Sequence, residues 1–462
     1  MIKIYVDNVI RIKLQDIKPK LLAIIENKFT YANPQYWKVI RMGFNTNEKR
    51  YIKTYNIISD YLILSRGCIT ILKEILDSYN IKYRIVDNRV VCPYDNIIFT
   101  SSLYDLQKKS ALELALYSQQ LFIAPPAAGK TRTMIYLMSL LKQKTIIIVH
   151  TSEIFKAWYS ELSNSLNKQK IGIIGFGKRN IQPITVAMIQ TLMRFKKLEW
   201  EKINNNFGCV IVSECQHVPS SMFFNVINRF KAKYRYGETA SKTRKDGKQF
   251  LMYDCISHRK VEITEEDMKE IKRSLFVIIY FLNCNYFKIK NNDWHFILDK
   301  LIKNKKRNEL IVSEVIKDVN NDHSVLVLSD RKAHCYILDE MLKQKGINSV
   351  VMTSDVKYDD RKKIVDKINS KIIKVLIATS NLISEGANIP ILSSLHLVTP
   401  SNNFELTKQR IGRIRRIVEG KKEPIVKDYV DEGNEMLLNM KKNRRKYYKK
   451  LGFDNIIDVK CF

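Results

Sequence analysis

Lys130 and Thr131 end a compact run, APPAAGKT at 124–131, that follows the apolar residues Leu121, Phe122 and Ile123. Successive backbone N–H groups and a helix N-terminus can cradle phosphates, with Lys130 on the terminal ones and Thr131 Oγ on Mg²⁺. The spacing from Ala124 to Gly129-Lys130-Thr131 is that of a phosphate-binding loop whose first glycine has become Ala124. Ala124 is comfortable there only if its φ stays negative. A small-residue turn between strand and helix is the plainer alternative. Farther on, VIVSECQHV (210–218) puts Glu214 just past another apolar run. A carboxylate facing Lys130 can orient the water that attacks a γ-phosphate. Ser213 stands where an ATPase ordinarily sets an Mg²⁺-linked aspartate, and its hydroxyl could hold a metal-bound water only weakly.

These residues need a sheet to carry them. Leu121–Ile123, Thr145–Val149, Val186–Ile189 and Val210–Ser213 are short apolar runs separated by helical stretches. That alternation predicts a mostly parallel sheet covered on both faces, with its ligand at the C-terminal strand ends. A second series (Val325–Leu328, Ser349–Thr353, Val375–Ala378, Leu395–Val398, Ile425–Tyr429) repeats the pattern without a second phosphate loop. Val261–Phe281 reads as largely helical. Ahead of both, Ile2–Ile12, Tyr51–Leu64 and Tyr83–Val91 read as strand-like around helices at Lys18–Lys28 and Ile69–Tyr79. The domain plan is therefore 1–97, an α+β nucleic-acid-binding domain; 98–260, the ATP-binding lobe; 261–300, a helical connection; 301–440, a second lobe; and 441–462, a basic tail.

The 462 residues exceed one typical core. Seventy-nine basic against 47 acidic residues give +32, an excess that suits a polyanionic partner, a membrane surface being the main competitor. No apolar run reaches membrane-spanning length, and the N-terminus alternates like a strand, so no membrane partner is expected. The eight cysteines form no CxxC pair, and the seven histidines do not cluster as metal ligands. A reducing cytosol is the simplest home, that of a bacterial host if the chain is phage-encoded. In the N-terminal region, Lys38, Arg41, Lys49, Arg50, Lys53, Arg66 and Arg84 read as exposed and interleave with Tyr31, Tyr36, Trp37 and Tyr51. Rings that stack bases beside cations that meet phosphates suit a nucleic-acid surface; a solvated face over an ordinary core suits the same pattern. KKNRRKYYKK (441–450) is either a basic helix or a loose solubilising end.

The ordered motifs resemble those of the superfamily 2 helicases, especially bacteriophage recombination helicases of the UvsW type and the DNA-opening helicase branch of transcription factors. Leu106-Gln107 looks like the glutamine motif, APPAAGKT like motif I, IIIVHTSEIFKAW (146–158) like Ia and VAMIQTL (186–192) like Ib. SECQH (213–217) resembles the Asp-Glu-x-His box with Ser213 for the aspartate and Gln216 in the histidine position. YGETASKTRKDG (236–247) resembles motif III, VLVLSDRKAH (325–334) IV, IATSNLISEGANIP (377–390) V and QRIGRIRR (409–416) VI. The likeness implies two tandem RecA-like α/β domains behind the small α+β domain, shutting over Mg²⁺-ATP.

Carried over from the resemblance, Lys130, Glu214, Gln409, Arg413 and Arg416 are catalytic, the two arginines as fingers on the transferring phosphoryl group. Gln107, Ala124, Pro125, Pro126, Ala127, Ala128, Gly129, Lys130, Thr131, Arg132 and Gly386 contact nucleotide. Thr131, Ser213 and Glu214 face Mg²⁺, and Thr239 and Ser241 couple ATP to lobe movement. Thr151, Gln190, Thr191, Arg244, Ser329, Arg331, Thr379 and Glu385 touch nucleic acid. Taken alone, RIGRIRR is equally a solvated basic helix. The RKDG at 244–247, the SEGANIP form of motif V and the lead stretch FTYANPQYWKVIRMGF (29–44) resemble the DNA branch. The implied substrate is forked or branched DNA, remodelled in recombination, repair or replication, with viral replication or recombination proteins as partners. An RNA helicase, a translocase that never separates strands, and an ATP-binding clamp with little turnover are the alternatives.

Overall fold

The computed structural model describes every residue except 127, 168, 218–220, 245, 271–276, 287, 289–292, 380–388, 416, 417, 419, 454 and 462. Ala127, Glu385, Gly386 and Arg416 therefore lie outside the described residues. The chain divides into two compact units, Met1–Ile263 and Thr264–Phe462.

The first unit holds two larger sheets. The N-terminal one has five strands in the order Tyr55–Ile58, Tyr61–Ser65, Val9–Lys13, Ile2–Val6, Tyr83–Asp87. Ile2–Ile12 is thus a hairpin of two strands rather than one, turned at Asp7-Asn8. Helices Pro19–Lys28 and Ile69–Ser78 bury Leu21, Ile25, Leu72 and Leu76 in its core, which also takes Ile4, Ile10, Ile12, Leu62 and Leu64.

The second sheet of this unit has eight strands: Lys178–Asn180, Ile171–Gly175, Ile184–Met188, Thr145–Val149, Cys209–Val212, Tyr234–Thr239, Gln119–Ile123 and Lys260–Glu262. All neighbours are parallel except the first pair. Every residue of Gln119–Ile123 and of Thr145–Val149 is buried, as a strand covered on both faces requires.

Arg66 corrects a sequence expectation. It is not on the surface but fully buried, donating to Ala232 O (2.5 Å), Lys233 O (3.3 Å), Asp7 O (3.3 Å) and Gln119 Oε1 (3.0 Å). It fastens the N-terminal sheet to the phosphate-loop domain. Gly67 allows the same contact, since a Cβ there would lie 2.3 Å from Tyr253 O. Nearby, Tyr31 stacks on Phe250 with centroids 4.1 Å apart, and Thr54 Oγ1 donates to Asp254 Oδ2 at 2.6 Å.

The second unit is one seven-stranded parallel sheet: Ser349–Met352, Val375–Thr379, Val325–Ser329, Ser394–Leu397, Ile425–Asp431, Ile278–Cys284 and Ile456–Cys461. Alternate residues feed opposite cores: Leu326, Leu328, Leu376 and Ala378 in one, Val325, Val327, Val375 and Ile377 in the other. Two expectations change here. Residues 278–284 are a strand of this sheet, not part of a helical connection, and among the described residues of that stretch only Glu265–Glu270 is helical. The basic C-terminal stretch is no loose tail. It belongs to helix Glu435–Lys450, whose buried Arg444 and Tyr448 both bond Asp428 Oδ2, at 2.7 and 2.6 Å, and Ile456–Cys461 then closes the sheet edge.

Candidate nucleotide and nucleic-acid site

The phosphate loop leaves Gln119–Ile123 and enters helix Lys130–Leu141. Ala124 N donates to Thr239 O at 3.0 Å, so the loop starts pinned to the neighbouring strand, and Ala124 keeps a negative φ, as its Cβ demands. Ala128 N closes the turn on Pro125 O at 3.2 Å. Gly129 is the helix N-cap at φ +77°, and a Cβ on it would meet Gln107 Nε2 at 2.0 Å. The glycine is required both by its conformation and by that neighbour.

Gln107 itself is buried, donating from Nε2 to Ala128 O (3.0 Å) and accepting from Tyr104 N (3.0 Å). It braces the loop and caps its own helix, Asp105–Ala115. Lys130 folds its ammonium toward Ala124 O at 3.4 Å, and Thr131 is half-buried beside it. Arg132 points its guanidinium to Glu161, 2.8 Å away, so a contact to nucleotide competes with this ion pair.

Ser213 and Glu214 follow strand Cys209–Val212. Ser213 is buried; its Oγ accepts from Trp158 Nε1 (2.9 Å) and donates to Glu238 Oε1 (2.7 Å). The one hydroxyl proton is committed to Glu238, so Ser213 is a relay to that carboxylate rather than an open metal ligand. Glu238 is 2% exposed, and its Oε2 has no hydrogen-bond partner among the described residues. Burial pushes its carboxyl up to about 7 against the pull of the Lys130 ammonium, and Glu214 adds to the rise.

Glu214 sits at φ +51°, in the left-handed region that a side chain adopts at a cost. Its Oε2 accepts from Gln216 Nε2 at 2.6 Å, while Gln216 Oε1 accepts from Thr239 Oγ1 at 2.8 Å. Thr239 Oγ1 also receives Ser241 N at 3.0 Å. A single polar chain thus joins Glu214 to the 239–241 segment. Arg244 is held inside its loop, bidentate to Asp246 (2.8 Å twice) and donating to Gln216 O.

The remaining sequence-predicted contacts fall on strand ends, loops and helices of their own unit. Thr151 Oγ1 caps helix Ser152–Ser165, and the exposed Gln190 donates to His150 O at 2.7 Å. Thr191 is half-buried in Ile189–Met193. In the second unit, Ser329 is fully buried, its hydroxyl 3.0 Å from His334 Nδ1 and receiving Arg331 N at 3.2 Å. It is therefore a loop-shaping residue, not a surface contact. Arg331 reaches His295 Nδ1 at 3.0 Å, and Thr379 ends its strand half-buried. Gln409 is half-buried in helix Phe404–Gly412, and Arg413 is its C-cap. The neighbouring Arg410 is buried against Asp330, 2.9 Å away.

On the N-terminal domain, Asn33 caps helix Pro34–Arg41, and Arg50 lies over Trp37 (5.0 Å) and Tyr51 (5.4 Å). Pro34 packs against Gly247, where a Cβ would come within 2.9 Å. The first residue of this helix thereby meets the loop that precedes helix Gln249–Cys255.

Among the described residues there is no cluster of His, Cys, Asp and Glu that would hold an ion unaided. The donor set instead fits a cation brought in on a triphosphate. Lys130 and the helix start would hold phosphate, Thr131 the ion, and Glu238 Oε2 is an uncompensated buried oxygen in the same neighbourhood. Neither Glu238 nor the bridging role of Gln216 is evident from the sequence motifs. The available signal for Glu238 was a charged residue inside an otherwise buried strand, YRYGET.

Residues 101–244 match the family described as the res subunit of type III restriction enzymes, and residues 305–418 match the helicase conserved C-terminal domain. The chain is 29% identical over 396 residues to a probable helicase, D10, of Escherichia phage T5, covering 82% of this chain and 85% of the relative. It is 23% identical over 383 residues to the DNA 3'-5' translocase XPB2 of Sulfurisphaera tokodaii, covering 74% and 84%. The solved structure of Dbp5 of S. cerevisiae bound to RNA and ADP BeF3 shares the fold, with a TM-score of 0.56, 14% identity, and 77% and 89% coverage. The chain thus carries the paired helicase domains of superfamily 2 behind a smaller α+β region, and is an ATP-hydrolysing helicase or translocase acting on nucleic acid.

Proposed function

We propose that this enzyme is a DNA motor that remodels forked or four-way junctions. In this reading Lys130 and the loop N–H groups hold the phosphates of ATP, Thr131 holds Mg²⁺, and Glu214 orients the attacking water. Gln409, Arg413 and Arg416 complete the charge around the transferring group. Thr151, Gln190 and Thr191 in the first unit, with Arg331 and Thr379 in the second, grip backbone and carry no base code.

The observation that carries the DNA reading is the bracing of the 247–254 segment by the N-terminal domain. Arg66, Tyr31, Thr54 and Pro34 all meet the phosphate-loop domain, the last three within this segment or beside it. A lead domain docked this firmly can present its Trp37–Arg50–Tyr51 cluster at a fixed distance from the motor. The XPB2 relative is a DNA translocase, which supports the same polymer.

The test is ATP turnover with duplex, single-stranded, forked and four-way DNA and with matched RNA. Stimulation by branched DNA above all others is expected. Stimulation by RNA alone would turn the reading to an RNA helicase, and by plain duplex alone to a non-unwinding translocase.

A further inference from the structure

The carboxylate missing from the strand end at Ser213 has a substitute one strand away. Strand Tyr234–Thr239 runs between Cys209–Val212 and Gln119–Ile123, pairing Val212 with Gly237 on one side and Phe122 with Glu238 on the other. Glu238 therefore stands at the level of Ser213, between that residue and the strand that launches the phosphate loop. In parallel pairing, residues at one level point to the same face of the sheet. The 2.7 Å bond from Ser213 Oγ to Glu238 Oε1 agrees with this register.

A carboxylate buried to this degree is costly unless both oxygens are satisfied. Oε1 has the Ser213 hydroxyl, whereas Oε2 has no partner among the described residues. Trp158 Nε1 fixes Ser213 from the other side at 2.9 Å, so the hydroxyl cannot turn away. The fold holds a carboxyl group in place and leaves one of its oxygens without a partner among the described residues.

We propose that Glu238, with Ser213 as its relay, is the positioning carboxylate for the water shell of the nucleotide's Mg²⁺, replacing an aspartate at position 213. This rests on the reading of the loop as an Mg²⁺-ATP site. Ordered water on Thr131-bound Mg²⁺ would give Glu238 Oε2 its missing donor, and a carboxylate so placed orients the shell without ligating the ion.

The test uses the full chain and a fluorescent ADP analogue, with Mg²⁺ titrated at fixed nucleotide. For Glu238→Gln, the Mg²⁺ concentration giving half-maximal binding should rise about tenfold, as for a lost outer-shell partner, with Mg²⁺-free nucleotide binding unchanged. In Ser213→Asp/Glu238→Leu the carboxylate returns to the neighbouring strand, and the Mg²⁺ requirement should come back to within about threefold of wild type. A Glu238→Gln protein with the wild-type Mg²⁺ requirement would overturn the proposal. Should that variant not fold, a tenfold-weakened Mg²⁺ response in the double exchange would overturn it instead. Failure of the wild-type chain to bind Mg²⁺-nucleotide at all would reject the ATP-site reading itself.

Discussion

Gln216 takes the hydroxyl of Thr239 at 2.8 Å while its amide holds Glu214 at 2.6 Å. The side chain proposed to orient water and the 239–241 segment proposed to couple ATP to movement are one hydrogen-bonded unit. Gln216→Ala cuts both bonds, each worth about 1 kcal/mol or somewhat more beside a charge. Nucleotide affinity should stay near wild type, while the stimulation of hydrolysis by nucleic acid falls about tenfold. Steady-state turnover with and without DNA checks this; an unchanged stimulation ratio would show that coupling runs elsewhere.

Lys130→Ala and Glu214→Gln separate binding from chemistry. The first removes the cation proposed to meet the phosphates and should weaken nucleotide binding as well as abolish turnover. The second keeps size and the hydrogen bond to Gln216, so binding should persist within about twofold while hydrolysis drops by about 10³. Arg413→Ala should also cost about 10³ in turnover if it is a finger on the transferring group. Equilibrium nucleotide binding beside single-turnover hydrolysis distinguishes these patterns.

Arg66 should behave as a structural bolt. Arg66→Leu strips partners from Ala232 O, Asp7 O and Gln119 Oε1, and the net loss is expected at about 2–4 kcal/mol after the relief of a buried charge. Lys38→Ala, on the exposed side of helix Pro34–Arg41, should stay within about 0.5 kcal/mol. Urea unfolding measures both. Lost DNA affinity with unchanged stability in Arg66→Leu would return that residue to the surface role its sequence suggested.

The second unit should weaken in mild acid. His334 is buried between Ser329 Oγ and Asn308 Oδ1, each 3.0 Å from a ring nitrogen, and burial with the nearby Arg307 charge pushes it down to about 3. Its folded value lies below the ordinary 6.5 of the unfolded chain. The neutral ring's contribution is therefore complete above pH 6.5 and is lost progressively as pH falls toward 3. The slope is about 1.4 kcal/mol per pH unit for one such group. Urea midpoints at several pH values test it, with His334→Gln expected to flatten the profile.

Much of this was legible in the chain. The phosphate loop announces itself because its chemistry needs small residues, a positive-φ glycine and a lysine at fixed spacing. The buried parallel strands are legible because both faces must be apolar. Residues 278–284, IIYFLNC, were not, since a short apolar run fits a buried helix as well as a strand. Ile456–Cys461 is an edge strand with half-exposed alternation and reads as polar tail. Arg66 and Glu238 escaped for one reason: charge in a sequence suggests water, and only three-dimensional neighbours reveal that carbonyls surround the first and a serine and tryptophan frame the second.

The most direct measurement is ATP-driven migration of a synthetic four-way DNA junction, followed by strand products on a native gel, with the Lys130→Ala protein alongside. Dissociation of the junction into duplexes that requires ATP and Mg²⁺ is expected, as is its absence with Lys130→Ala, though that protein still binds the junction. Junction remodelling by Lys130→Ala at the wild-type rate, or none by the wild type despite DNA-stimulated ATP turnover, would contradict the DNA-motor reading.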